Sequence, residues 1–218
     1  MLYPALQVFL PMVMPLFRFR VVGKEELPTS GGMILAANHV SFVDPLFIGV
    51  AMVERQLYFL AKEELFRSAL FGALIRDLRA FPVRRGQIDH SAIKRCLRLL
   101  EAGEALLMFP EGTRGDGKVL QEGEEGIGLL VARSGCPVVP VYVRGTDKVL
   151  PRGKRIPRVH PVTVYFGQPL WPHRETVRGD GRWGYRRLSG QVMKGIAELK
   201  AAADAAGRSG DSPRRDLG

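Results

Sequence analysis

Between residues 33 and 143, short apolar runs alternate with stretches of helical periodicity, and no other feature constrains the fold more. Met33–Ala37, Leu57–Leu60, Phe81–Val83, Ala105–Phe109 and Pro137–Val143 read as strands, and Val162–Phe166 adds another. The intervening helices are predicted over Pro45–Val53, Glu63–Ile75, Asp89–Ala102 and Gly126–Arg133, with a last helix over Tyr185–Ala206. Asp44 is the expected N-cap of the first helix, with Pro45 at its first position. Pro82 makes Phe81–Val83 an edge strand or a strand end. The order predicts an α/β fold: a layered, mostly parallel or mixed central sheet flanked by helices. Ligands in such folds gather beyond the carboxyl ends of the strands. Asn38-His39 and Pro110-Glu111 each follow a predicted strand, so both could meet in one crevice.

The ends of the chain differ from this middle. Residues 1–17 hold no charged side chain, and the first charge is Arg18. The run is too short for a spanning helix, is broken by Pro4, Pro11 and Pro15, and lacks the basic start of a secretory signal. Residues 1–20 are read as a membrane-interface segment, with Arg18, Arg20 and Lys24 meeting headgroups. The competing reading is a strand or broken helix packed on the protein's own core. The folded domain is expected over 21–206 and a disordered tail over 207–218.

Net charge is +10, and residues 136–218 hold 16 basic against 7 acidic side chains. Such a balance implies an anionic partner: phosphate, nucleic acid or an anionic lipid surface. Only 8% of residues are aromatic, and no nucleic-acid module is recognisable, so a non-catalytic basic membrane- or nucleic-acid-binding protein is a remote alternative. Two cysteines exclude a disulfide scaffold, and the four histidines show no metal-ligand spacing. No cofactor or metal is expected, and Cys96 and Cys136 are read as structural.

Four blocks carry chemistry. Residues 38–44 read NHVSFVD, an HxxxxD pattern. Five positions on one helix would separate His39 from Asp44, so they meet only if His39 sits in the turn before the helix. A carboxylate on one imidazole nitrogen fixes the tautomer and leaves the other as a base. Residues 109–114 read FPEGTR: Gly112 allows close backbone approach, Thr113 supplies a hydroxyl, and Arg114 can grip phosphate. Glu111 could accept a hydroxyl proton or orient Arg114. Residues 81–85, FPVRR, present Arg84 and Arg85 as a phosphate site. Residues 138–145, VVPVYVRG, read as a core strand ending in a glycine turn.

Taken together and in this order, the blocks resemble the glycerolipid acyltransferase family, the 1-acyl-sn-glycerol-3-phosphate acyltransferases of the PlsC-like type. The resemblance covers about residues 20–170, and the first and third blocks match the family pattern fully. It implies the glycerolipid acyltransferase fold and an acyltransferase that moves a fatty acyl group from acyl-CoA or acyl-carrier protein to the free hydroxyl of lysophosphatidic acid. His39 would be the general base and Asp44 its orienting partner, with Asn38 and Ser41 in support. Arg84, Arg85, Glu111, Gly112, Thr113 and Arg114 would bind substrate, Arg85 being the arginine of the second block. Attack would be direct, with no acyl-enzyme, and backbone N–H groups after the histidine motif are the default oxyanion donors. Asp44→Asn is expected to fold normally and lose most activity through the wrong His39 tautomer.

The resemblance also implies membrane contact, at the cytoplasmic face of the cell membrane as a peripheral or monotopic protein. Glycerol-3-phosphate or another lysolipid is the alternative acceptor. Where many relatives carry a lysine-containing stretch after FPEGTR, this chain has QEGEEG at 121–126. The basic side chains shift instead to Arg144–Arg158, where CoA phosphates, an acidic carrier protein or anionic lipid are the possible partners.

Overall fold

The computed structural model describes residues 9–52, 54–84, 89–172 and 181–208. Seven strands form one sheet: β1 (Arg20–Val22), β2 (Met33–Ala37), β3 (Leu57–Lys62), β4 (Ala80–Val83), β5 (Ala105–Met108), β6 (Val138–Arg144) and β7 (Thr163–Phe166). Their spatial order is β1-β7-β6-β2-β5-β3-β4. The five strands from β6 to β4 run parallel, β7 runs antiparallel to β6, and β1 is parallel to β7. The expected layered, mostly parallel sheet is therefore present, with one antiparallel joint.

The helices are α1 (Asp44–Ala51), α2 (Ala69–Asp77), α3 (His90–Glu101), α4 (Glu125–Ser134), α5 (Thr146–Val149) and α6 (Gly181–Arg208). All five residues of β2 are buried, and they alternate between two cores, as period-2 geometry requires. Met33, Leu35 and Ala37 meet Phe47 and Ile48 of α1 on one face. Ile34 and Ala36 meet Cys96 and Leu100 of α3, Ile127 and Leu130 of α4, and Val192 and Ile196 of α6 on the other. Three helices thus cover the second face, while the first is covered by α1 and the chain before β1.

Several boundaries depart from the sequence reading. The Glu63–Ile75 stretch divides into a 3-10 turn (Glu63–Phe66) and α2, because Ser68 restarts the helix by accepting from the Phe71 N–H. Residues 9–13 are helical and run into a 3-10 turn at Met14–Phe17. That segment packs in part on the protein's own core. Met14 is buried, and Phe17 and Phe19 rest on the Phe47 ring with centroids 5.4 and 5.6 Å away, while Phe9, Met12 and Leu16 are exposed. Gly207 and Arg208, expected in the tail, are the last residues of α6. Residues 209–218 and 1–8 lie outside the described residues.

Asp89 is the N-cap of α3: its Oδ1 accepts from the Ser91 and Ala92 N–H groups, and its Oδ2 accepts from the Arg84 N–H. Those donors, with the Ser91 hydroxyl foremost, hold its carboxyl at about 2, below the ordinary 3.8. A lowered native pKa stabilises the fold above the unfolded value, and that contribution fades as pH falls from about 4 to about 2. Asp89→Ala is therefore expected to cost about 1 kcal/mol at neutral pH, or roughly 2–4 °C in Tm. The deficit should shrink toward zero in thermal melts at about pH 2.

Candidate active site

The two strand ends that the sequence brings forward are neighbours. β2 and β5 pair in parallel, with Ala36 opposite Met108, so the loops after them start side by side. The loops are then sewn together: the His39 N–H donates to Glu111 Oε1 (2.8 Å), and the Gly115 N–H donates to the His39 carbonyl (2.8 Å). Asn38 extends the ladder past the end of β2, accepting from the Val143 N–H at 2.7 Å and donating to the Val143 carbonyl at 3.1 Å. Its amide stands in for one more strand residue on β6.

His39 and Asp44 meet, with His39 in the turn before α1. His39 Nδ1 lies 2.8 Å from Asp44 Oδ2, and the same oxygen accepts from the Val40 and Ser41 N–H groups, each at 2.8 Å. Asp44 Oδ1 accepts from the Thr146 hydroxyl at 2.5 Å. An oxygen that already receives two backbone N–H donors is an acceptor toward the imidazole too, so Nδ1 carries the proton and Nε2 is left with its lone pair free. The imidazole stacks on Phe109 with centroids 4.0 Å apart. Asp44 is the first residue of α1, and Val43 is its N-cap without a side-chain bond. The expected N-cap role fails because the carboxylate turns back to the loop instead of forward to the helix. Ser41 donates its hydroxyl to the Leu150 carbonyl, tying the loop to the chain after α5.

Most of the backbone N–H groups proposed for an oxyanion are already engaged. Those of His39, Val40 and Ser41 donate to carboxylates, and those of Asp44, Leu46 and Phe47 donate to the Ser41 and Val43 carbonyls. Pro45 has none. This loop spends most of its donors on holding its own shape, and the Phe42 and Val43 N–H groups are the two without such a bond among the described residues.

The FPEGTR block divides in two. Glu111 is buried, with Oε1 on the His39 N–H and Oε2 on the Gln121 N–H (3.1 Å), so it positions two loops rather than facing a ligand. Gly112 has φ +64°, and a Cβ there would collide with the Glu124 carboxylate; the close approach that needs glycine is made by the protein itself. Thr113 is exposed. Arg114 faces the site, its guanidinium 4.0 Å over the Phe42 ring. Arg84 is exposed, with Nε 3.3 Å from Glu63 Oε2, and Arg85 lies outside the described residues.

A cavity of about 300 Å³ opens beside His39. His39, Phe42, Arg114 and Lys62 border it, and its walls include Leu46 and Val50 of α1, Phe59 of β3, and Leu74 and Ile75 of α2. Leu10 and Pro11 close it from the N-terminal segment. It occupies the thinly covered face of the sheet. The geometry sets an imidazole against an apolar hole, with two cations also lining it. Sequence reasoning missed Lys62, which ends β3 at the same carboxyl edge, and Thr146. Gly145 was legible as a turn, and its φ of +97° against the Pro161 carbonyl explains the glycine, but nothing local ties the next residue to Asp44. Cys96 is buried in the opposite core, where burial pushes its thiol up to about 12, and neither cysteine lines the cavity.

Comparison with known proteins identifies the family and the fold. A family model described as Acyltransferase matches residues 18–144. The chain is similar to the 1-acyl-sn-glycerol-3-phosphate acyltransferase of Bacillus subtilis, 33% identical over 69% of this chain and 73% of that protein. It is also similar to the chloroplastic 1-acyl-sn-glycerol-3-phosphate acyltransferase LPAT1 of Arabidopsis thaliana, 30% identical over 65% of this chain. The match spans only 40% of that plant protein. In structure it resembles the 1-acyl-sn-glycerophosphate (LPA) acyltransferase PlsC from Thermotoga maritima, with a TM-score of 0.70. That likeness covers 91% of this chain and 79% of the other at 24% identity, which establishes the common fold. With the family model matched over more than half of its residues, the chain belongs to the acyltransferase family.

Proposed function

We propose that the protein transfers a fatty acyl group from the thioester of CoA or acyl-carrier protein to the free hydroxyl of lysophosphatidic acid, forming phosphatidic acid for phospholipid synthesis. The observation that carries the reading is the His39–Asp44 pair set at the mouth of an apolar cavity with Arg114 and Lys62 beside it. His39 Nε2 takes the acceptor's hydroxyl proton as its oxygen attacks the thioester carbonyl. The carbon–sulfur bond then breaks, and the imidazolium returns the proton to the thiolate. A thioester is already activated, so the step needs no metal, no cofactor and no covalent nucleophile. Ionised Asp44 stabilises the imidazolium that forms between the two transfers. Arg114 and Lys62 suit the acceptor's phosphate, and the apolar walls suit the acyl chain.

The acceptor is the part most open to test. CoA thiol release from palmitoyl-CoA is expected to require lysophosphatidic acid and to yield phosphatidic acid. Faster transfer to glycerol-3-phosphate or to lysophosphatidylcholine would overturn the acceptor assignment.

Gly49 of α1 lines the cavity, and a Cβ built on it would meet no atom within 4 Å. Gly49→Leu should therefore fit the helix and fill the hole. Overfilling costs about 1–3 kcal/mol, so kcat/KM for palmitoyl-CoA is expected to fall roughly tenfold relative to decanoyl-CoA. An unchanged ratio would place the acyl chain elsewhere.

The same reading puts the protein at the cytoplasmic face of the cell membrane as a peripheral or monotopic enzyme. Among the described residues no helix is long and apolar enough to cross a membrane. The exposed Phe9, Met12 and Leu16, beside the cavity-lining Leu10 and Pro11, support interfacial contact next to the acyl-chain site.

A further inference from the structure

The sheet topology gathers two separate segments at one end of the molecule. β7 runs antiparallel to β6, so residues 145–162 lie beyond the carboxyl end of β6, where Asn38 and His39 also sit. β1 runs parallel to β7, with Arg20 opposite Thr163, so residues 9–19 lie at that end too. The two segments touch: the Val162 N–H donates to the Phe17 carbonyl at 3.0 Å.

Residues 151–160 read PRGKRIPRVH and contain no acidic side chain. Residues 152–160 are all exposed. Arg152, Lys154, Arg155 and Arg158 form no ion pair among the described residues. Between them stand Ile156, 80% exposed, and Val159, 68% exposed. Two large aliphatic side chains thus stand in water among four cations on one ten-residue loop. The loop is nonetheless fixed at its root. The Arg158 N–H donates to the Val149 carbonyl (2.7 Å), and the adjacent Leu150 carbonyl accepts the Ser41 hydroxyl from the His39 loop.

We propose that loop 151–160 is a second membrane-docking element, which sets Ile156 and Val159 into an anionic bilayer while the four cations meet lipid phosphates. Cations beside exposed apolar tips match the two layers of such a surface, headgroup and acyl boundary. A free CoA phosphate or an acidic carrier protein would use the cations and leave the aliphatic tips unexplained. With residues 9–17 on the same end, the loop gives two points of contact, which fixes how the His39 cavity faces the lipid. The inference deepens the lipid-acylation reading, but its test needs no turnover.

The full chain is sedimented with vesicles of phosphatidylcholine alone and of equal parts phosphatidylcholine and phosphatidylglycerol. Wild type is expected to bind the anionic vesicles more tightly, and added salt should erode that preference. The variant Arg152→Gln/Lys154→Gln/Arg155→Gln/Arg158→Gln should lose roughly tenfold or more in affinity for the anionic vesicles and little for the neutral ones. Ile156→Ser/Val159→Ser should weaken binding to both. Wild-type affinity in the Gln variant overturns the proposal. So does a rise in KM confined to acyl-carrier protein donors with vesicle binding intact, which would make the loop a protein-docking site. Turnover in detergent micelles with palmitoyl-CoA and lysophosphatidic acid separates the two claims. It should be unchanged in both variants, and its absence in wild type would defeat the lipid-acylation reading while leaving vesicle binding to stand or fall alone.

Discussion

His39→Ala is expected to lower acyl-transfer turnover by roughly 10²–10⁴-fold, the range that a positioned general base supplies. The fold should survive the change. Asp44 keeps the Val40 and Ser41 N–H donors and the Thr146 hydroxyl when the imidazole is gone, so no buried charge is orphaned. The loop keeps its bonds from the His39 backbone to Glu111 and Gly115, which a side-chain truncation leaves intact. The loss should therefore fall on kcat with KM little changed, and circular dichroism should show a melting transition close to wild type. A fall in KM-weighted binding with kcat preserved would mean that His39 holds substrate and does not move its proton.

Asp44→Asn is expected to fold and to lose roughly 10- to 100-fold in turnover, the difference between a charged and a neutral hydrogen-bond partner. The tautomer argument drawn from the sequence does not survive the geometry. Two backbone N–H groups and His39 Nδ1 all point at the Oδ2 position, so the amide oxygen settles there. Its NH2 then faces the Thr146 hydroxyl, which can accept. The productive tautomer is kept, and what disappears is the negative charge that stabilises the imidazolium. Steady-state kinetics on the purified variant decides between the two accounts. A loss near 10⁴-fold would mean that the amide turns over and flips the tautomer after all. Wild-type turnover would remove the Asp44 charge from the mechanism.

The parts of the fold that were legible carry their own local signal. β2 keeps its predicted bounds because five apolar residues follow a glycine turn, and α3 runs where its apolar spacing and Asp89 cap require. β1 was not foreseen: three residues, RVV, become a strand only because β7 offers an edge. Asp44 illustrates the same limit at the site. Its place before Pro45 is what an N-cap looks like in sequence, and only the tertiary fold shows the carboxylate turned back toward His39, Val40, Ser41 and, from 102 residues away, Thr146. Glu111 sits in a motif that suggests ligand contact, yet its two oxygens are occupied by the amides of His39 and Gln121. Lys62 is one cation among many in the sequence and acquires meaning only as a neighbour of Arg114 around one cavity. Spacing allowed His39 and Asp44 to meet and the family resemblance implied that they do; which groups hold them depends on loops far apart in the chain.

The central claim is that His39 deprotonates the acceptor for direct attack on the thioester. Rapid-quench mixing of enzyme with palmitoyl-CoA, with and without lysophosphatidic acid, tests it in a single turnover. The account predicts that wild type releases no CoA without acceptor and a stoichiometric amount with it, and that His39→Ala releases none on this timescale in either case. One equivalent of CoA released without acceptor, together with an acid-stable acyl-protein, would contradict it and require a nucleophile in place of a base.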